Sequence, residues 1–274
     1  MKKAFLYIIL FISNYICSNT DLGIKAQSFG GAYSSVALSN DVIFYNPAGI
    51  LKSKKMAFEV DYERSFLHSN NTIIASIVDS KTTDWALGLL YYADIKDKKS
   101  ESQNAYLTVA MPIVENLLSL GSSLAYKYEK EFNFMHMDFG LLFNSEIGFA
   151  SALVFNNAFY FINRHNPLGI SLAGSYDFSK IVETFPLILS SDWLMNDAFS
   201  NNKLLHELSF GSQFVFVEIF AWRMGYKNKF YQNNQLISLG AGLLAETIDI
   251  DFLYSQDLFL GANRNLGVSM KLMF

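Results

Sequence analysis

From Met56 to the last residue the chain alternates between bulky apolar and small or polar positions with a period of two. Met56, Phe58, Val60 and Tyr62 interleave with Ala57, Glu59, Asp61 and Glu63. Leu120, Leu124 and Tyr126 stand opposite Gly121, Ser123, Ala125 and Lys127. The pattern returns in Met137 to Phe143, in Phe220 to Tyr226, in Ile248 to Tyr254 and in Leu266 to Phe274. Successive side chains of a strand point to opposite faces, so each segment has one apolar face and one face of Gly, Ala, Ser and isolated charges. A soluble β-sandwich also alternates, but its polar face carries abundant long charged side chains. A second face this small fits a narrow lumen, with the bulky face turned to lipid. The segments predict an all-β fold, a closed antiparallel transmembrane β-barrel of about fourteen strands. Their connections read as short at Asn144 to Glu146, Ser179-Lys180, Val217-Glu218 and Glu246-Thr247. They read as longer and polar at Asp94 to Ser102, Asn156 to Pro167, Met195 to Lys203, Asn228 to Asn234 and Gln256 to Asn265.

The N-terminal part is built differently. Lys2 and Lys3 followed by the apolar run Ala4 to Ile12 predict a secretory signal over residues 1–18. That run is too short to cross a bilayer as a helix. Residues 19–53 follow as a segment without periodicity, and 54–274 form the barrel. Between Phe29 and Leu51 lies FGGAYSSVALSNDVIFYNPAGIL, with Gly30-Gly31, Asn40-Asp41 and Asn46-Pro47-Ala48-Gly49 close together. So many breakers exclude a regular helix or strand and predict a compact, irregular element held against something larger.

Composition narrows the class. The chain is 51% apolar and 16% aromatic with only 17% charged residues, and no later stretch has the length of a transmembrane helix, which leaves strands as the way to cross a membrane. The net charge falls from −4 to −6 without Lys2 and Lys3, and no basic run exceeds two residues, so nucleic acid is excluded as a partner. Cys17 is the only cysteine, so no intramolecular disulfide forms.

The GGAY…NPAG segment resembles the N-terminal plug of the FadL-like outer-membrane proteins, including their PorV/PorQ branch. Phe210 to Phe214, Arg223 to Tyr226, Asp251 to Tyr254 and Leu260-Gly261 resemble the closing hairpins of that branch, and Phe274 resembles the terminal aromatic signal of barrel assembly. The resemblance implies a bacterial outer-membrane barrel with lipid around it. Gly30, Gly31, Asn46, Pro47 and Gly49 would act as plug or gate. It implies passive uptake of small hydrophobic molecules or, alternatively, a barrel partner of secretion-system proteins of the type IX kind without transport of its own.

The remaining candidates follow from the pattern. Glu59, Asp61, Glu63, Arg223, Asp249, Asp251 and Lys271 are expected in the lumen, with the cations offsetting the carboxylates. Phe159, Tyr160, Phe161 and Ile162 are expected on an outer loop as an apolar interaction surface, and the FadL-like resemblance implies that this loop is a landing site for a hydrophobic ligand. His136 and Asp138 share a face, but no G-x-S-x-G pattern accompanies them, so an enzyme is not expected. Gly240-Ala241-Gly242 lies inside an alternating strand with no helix after it and predicts no dinucleotide site. No clustered ligand set suggests a metal, and no cofactor is expected.

Overall fold

The computed structural model describes residues 22–67, 69–96, 99–129, 132–162, 168–196, 205–259 and 264–274. Residues 1–18, with Cys17, and the histidines His68 and His165 lie outside them. Strands β1 (Met56–Ser65), β2 (Asn70–Asp79), β3 (Ala86–Lys96), β4 (Lys99–Val114) and β5 (Leu118–Glu129) lead into β6 (Phe132–Asn144) and β7 (Phe149–Ile162). The second half contains β8 (Gly169–Asp177), β9 (Leu187–Asn196), β10 (Leu205–Phe216), β11 (Phe220–Lys229), β12 (Asn234–Leu244), β13 (Ile248–Asp257) and β14 (Arg264–Met273). Each strand pairs antiparallel with its sequence neighbours, and β1 closes on β14, from Ala57↔Met273 to Ser65↔Asn265. This is the fourteen-stranded closed barrel that the alternation predicts, and closure leaves no unpaired edge.

The two faces are inverted relative to a soluble protein. Phe58, Tyr62, Trp193, Trp222, Met224, Phe252 and Met270 are exposed on the outer wall, while Glu59, Asp61, Arg223, Asp251 and Lys271 are buried inside. An apolar exterior around a polar interior is the arrangement that lipid imposes on a barrel.

The expected alternation of short and long connections is weaker than the sequence suggests. Lys96 pairs directly with Lys99, so the expected loop from Asp94 to Ser102 is mostly the ends of β3 and β4. Likewise β7 continues through Phe159 to Ile162 instead of ending near Asn156. Polar residues at the ends of β3 and β4 mimic loop composition, and in β7 the Asn156-Asn157 pair does so.

Residues 22–55 fold inside the barrel. They form α1 (Ile24–Ser28), α2 (Val42–Tyr45) and the 3-10 turn η1 (Pro47–Leu51). Helix α1 packs against β11 to β14 and β1, and η1 packs against β3 to β6, so the segment bridges the lumen from wall to wall. Its apolar side chains Phe29, Tyr33, Val36, Val42 and Ile43 form a core with Ile74, Leu90, Tyr92 and Tyr106 of the wall.

Candidate functional site: the plug, its charged seam and the aromatic lumen

Two pairs of facing glycines seat the plug. Gly121 and Gly140 lie directly opposite one another on β5 and β6. A Cβ on Gly121 would fall on the backbone of Pro47 and Ala48, and one on Gly140 would fall on the Asn46 carboxamide. On the other wall Gly211 and Gly225 face each other across β10 and β11, and a Cβ on either would strike Phe29 or Gly30. Backbone can approach backbone only where the wall has no side chain.

The plug's own residues complete the fit. Asn46 is fully buried; its backbone is extended at φ −157°, as a residue before proline prefers. Its side-chain oxygen accepts from Ala48 N at 3.1 Å, and its Nδ2 donates to Ser34 O at 2.9 Å and Leu141 O at 3.3 Å. Pro47 opens η1, where a missing N–H costs nothing. Gly30 and Gly31 adopt φ of +65° and +80° to reverse the chain after α1. Gly49 packs on Val42 and Ala37, where a Cβ would overlap both.

A charged seam joins α1 to the wall. Lys25 Nζ lies 3.1 Å from Asp251 Oδ2 and 3.4 Å from Asp249 Oδ2. Arg223 donates to Asp251 through Nη1, and its Nε donates to Gln213 Oε1 at 2.7 Å. Burial drives the Lys25 ammonium toward neutrality, but Asp251, with help from Asp249, outweighs it and raises its pKa. Gln27 Nε2 donates to Glu63 Oε2 at 2.5 Å. Lys271 Nζ donates to Leu38 O at 3.0 Å, tying β14 to the plug. The fold therefore brings Arg223, Asp249 and Asp251 together around a plug lysine.

Glu59 and Asp61 lie beside this seam, across β14 from Asp249 and Asp251, and against Asp41 of the plug. One oxygen from each of Asp41, Glu59 and Asp61 falls within 4.8 Å of the others, and all three residues are buried. The sequence shows no such ligand set because Asp41 belongs to a segment without periodicity; only the folding of the plug onto β1 assembles it. Burial first, and then the Glu59 charge, push the Asp41 carboxyl up to about 7.

Toward the end of the barrel away from Met56 the lumen is aromatic. Phe44 of the plug meets Tyr92 at 5.9 Å and Tyr106 at 5.2 Å between ring centroids, both edge-on. Tyr106 leads to His136 at 6.5 Å, and His136 to Phe134 at 6.1 Å and Tyr160 at 6.4 Å. Sequence reasoning missed this run because its rings come from the plug and from four separate strands, β3, β4, β6 and β7. His136 Nε2 lies 3.5 Å from Asp138 Oδ2, but Asp138 Oδ1 accepts from Asn157 N at 2.6 Å and so holds a kink in β7.

Phe159, Tyr160, Phe161 and Ile162 are strand residues, which corrects the expectation of a loop. Asn157, at φ +55°, makes a bulge where β7 loses register with β6 between Met137 and Phe139. Past it Phe159 and Phe161 are exposed on the outer wall, and the Tyr160 ring reaches His136. The rest of the expected loop, 163–167, lies outside the described residues. Cavities beside the plug enclose about 50, 30 and 20 Å³, room for a few waters at most. A larger one of about 760 Å³ lies beneath η1 at the end carrying the turns, lined among others by Lys52, Lys54, Asp177 and Lys180.

No family model matches the sequence, and no curated protein matches it. Solved structures match the fold. The Ralstonia pickettii toluene transporter TbuX superposes with a TM-score of 0.69 at 10% identity, covering 93% of this chain and 98% of that one. The fold is FadL-like. The Acinetobacter baumannii outer-membrane protein Omp33 superposes with a TM-score of 0.56 at 7% identity, over 81% of this chain and 98% of that one. The chain thus has the fold of bacterial outer-membrane barrels, with FadL-like architecture around a folded N-terminal segment.

Proposed function

We propose that this FadL-like barrel is a gated conduit for the passive uptake of small hydrophobic molecules, with residues 22–55 as the gate. The observation that carries this reading is the unbroken run of rings from Phe134 and Tyr160 through His136 and Tyr106 to Phe44 on the plug. Aromatic faces and edges accept apolar solutes without fixed polar partners, and a pathway for such solutes needs a succession of weak sites. The toluene carried by the structurally similar TbuX is a solute of the size and polarity this lumen would take. Phe159 and Phe161, exposed beside the bulge at Asn157, extend the apolar path to the outer wall. Gly30, Gly31, Asn46, Pro47 and Gly49 let the gate lie against the wall, and the lumen charges hold it there.

Uptake of a small aromatic probe by cells carrying the protein tests the reading. Tyr106→Ala combined with His136→Ala should reduce uptake severalfold while surface levels of the barrel stay unchanged. The small cavities beside the plug favour a second reading, a sealed PorV/PorQ-like barrel that serves secretion-system proteins. Unchanged uptake in the double variant, together with failed export of a partner protein, would replace the first reading by the second.

A further inference from the structure

The acidic trio at the plug–wall contact does more than line a wet lumen. Asp41 comes from the plug, and Glu59 and Asp61 from β1, with relative exposures of only 2%, 2% and 1%. None of the three forms an ion pair with a described residue: Lys25 and Arg223 are taken by Asp249 and Asp251, and Lys271 donates to a carbonyl. Lys25 and Lys271 act on Glu59, and Lys25 on Asp41, only from beyond ion-pair distance, so three carboxylates at this spacing keep a large desolvation and repulsion cost.

The hydrogen bonds that reach the trio come mostly from backbone. Lys25 N and Ala26 N donate to Asp41 Oδ2, at 3.0 and 3.1 Å. Asn40 N donates to Glu59 Oε2 at 2.8 Å, and Ser269 Oγ to Glu59 Oε1 at 3.1 Å. Ile24 N approaches Asp61 Oδ2 at 3.4 Å. These bonds fix the carboxyl planes but bring no charge. Asp61 Oδ1 has no hydrogen-bond partner although it is fully buried, and its carboxyl faces the other two. Gly23, at φ +84°, makes the room: a Cβ there would lie on the Asp41 carboxyl.

We infer that Asp41, Glu59 and Asp61 form a Ca²⁺ site that clamps the plug to β1. The donors are hard carboxylate oxygens, the ligand type of Ca²⁺ and Mg²⁺. Their separation suits a cation with oxygen bonds of about 2.3–2.6 Å. Mg²⁺ gives up its waters reluctantly and demands a near-ideal octahedron, whereas three carboxylates held at irregular positions by backbone donors suit the adaptable coordination of Ca²⁺. Because one ligand belongs to the plug and two to the wall, occupancy of the site couples directly to plug docking.

The inference stands apart from the identity of any transported molecule, and it is tested on the purified full-length barrel in detergent. After stripping with EDTA at pH 7.5, the wild type is titrated calorimetrically with Ca²⁺ up to ~1 mM, the range of extracellular sites. Proteolysis at Lys52 and Lys54 is followed in the same samples. The expected result is saturable binding of a single Ca²⁺, slower proteolysis on binding, and a loss of affinity of about tenfold or more in Asp61→Asn. Glu218→Gln, in an exposed turn, should bind as the wild type does. An absence of wild-type binding, Mg²⁺ competing at equal concentration, or an Asp61→Asn isotherm like that of the wild type would overturn the site. Should Asp61→Asn fail to fold, Glu59→Gln takes its place and is read in the same way.

Discussion

Lys25 shows how one side chain decides whether the plug stays docked. It is 2% exposed and lies between Asp249 and Asp251, with Arg223 on the far side of Asp251. Removing one partner of a buried ionic cluster leaves a charge without compensation, typically at about 3–5 kcal/mol. Lys25→Met should therefore release α1 from β13, and proteolysis at Lys52 and Lys54 should speed up while the strand signal in circular dichroism persists. Asp41 gives a pH prediction. Its pKa is raised to about 7 from the ordinary carboxylate range, so the docked plug binds this proton more tightly than the undocked segment does. Docking is then strongest below the ordinary carboxylate range and weakens as pH rises through about 7. In EDTA, the plug should open more often at pH 8 than at pH 6 in single-channel recordings. Asp41→Asn should flatten that dependence, since its carboxamide has no proton to lose.

Legibility differs from element to element. The strands were readable because lipid on one side and a crowded lumen on the other impose strict alternation, as β1 and β13 show. The NPAG turn was readable as an irregular element because Asn46 and Pro47 have few other uses in sequence. The end of β7 was not, since Asn156-Asn157 looks like a loop and is instead a bulge inside a strand. Nor was the purpose of the wall glycines: only the fold shows that Gly121 and Gly140 leave space for Asn46 to Ala48. The aromatic run and the acidic trio each draw on separate elements, so no local pattern announces them. Asn46→Ala with Pro47→Ala removes the η1 cap, worth about 0.5–2 kcal/mol, and should loosen the plug without unfolding the barrel. Gly121→Val should do the same from the wall side by displacing Pro47. In either variant, sensitivity to a bulky antibiotic should rise; unchanged sensitivity in both would separate plug seating from permeability.

At the scale of the whole molecule, stability is divided between two solvents. The outer face gains from lipid, and the inner face holds a polar interior filled by the plug. Adjacent residues of one strand therefore fail in different ways. Phe252 stands midway along β13 and is exposed on the outer wall, whereas Asp251 is buried against Lys25 and Arg223. Phe252→Arg places a cation in the apolar band, at about 2–4 kcal/mol near the midplane. It should lower the denaturant midpoint for unfolding from vesicles and leave plug proteolysis as in the wild type. Asp251→Arg adds no charge to the lipid face but crowds a third cation against Lys25 and Arg223. The barrel should then unfold near its usual midpoint, with α1 expelled and the plug cut rapidly. If the two variants shared one phenotype, the separation between a lipid-facing and a plug-facing side of β13 would be wrong.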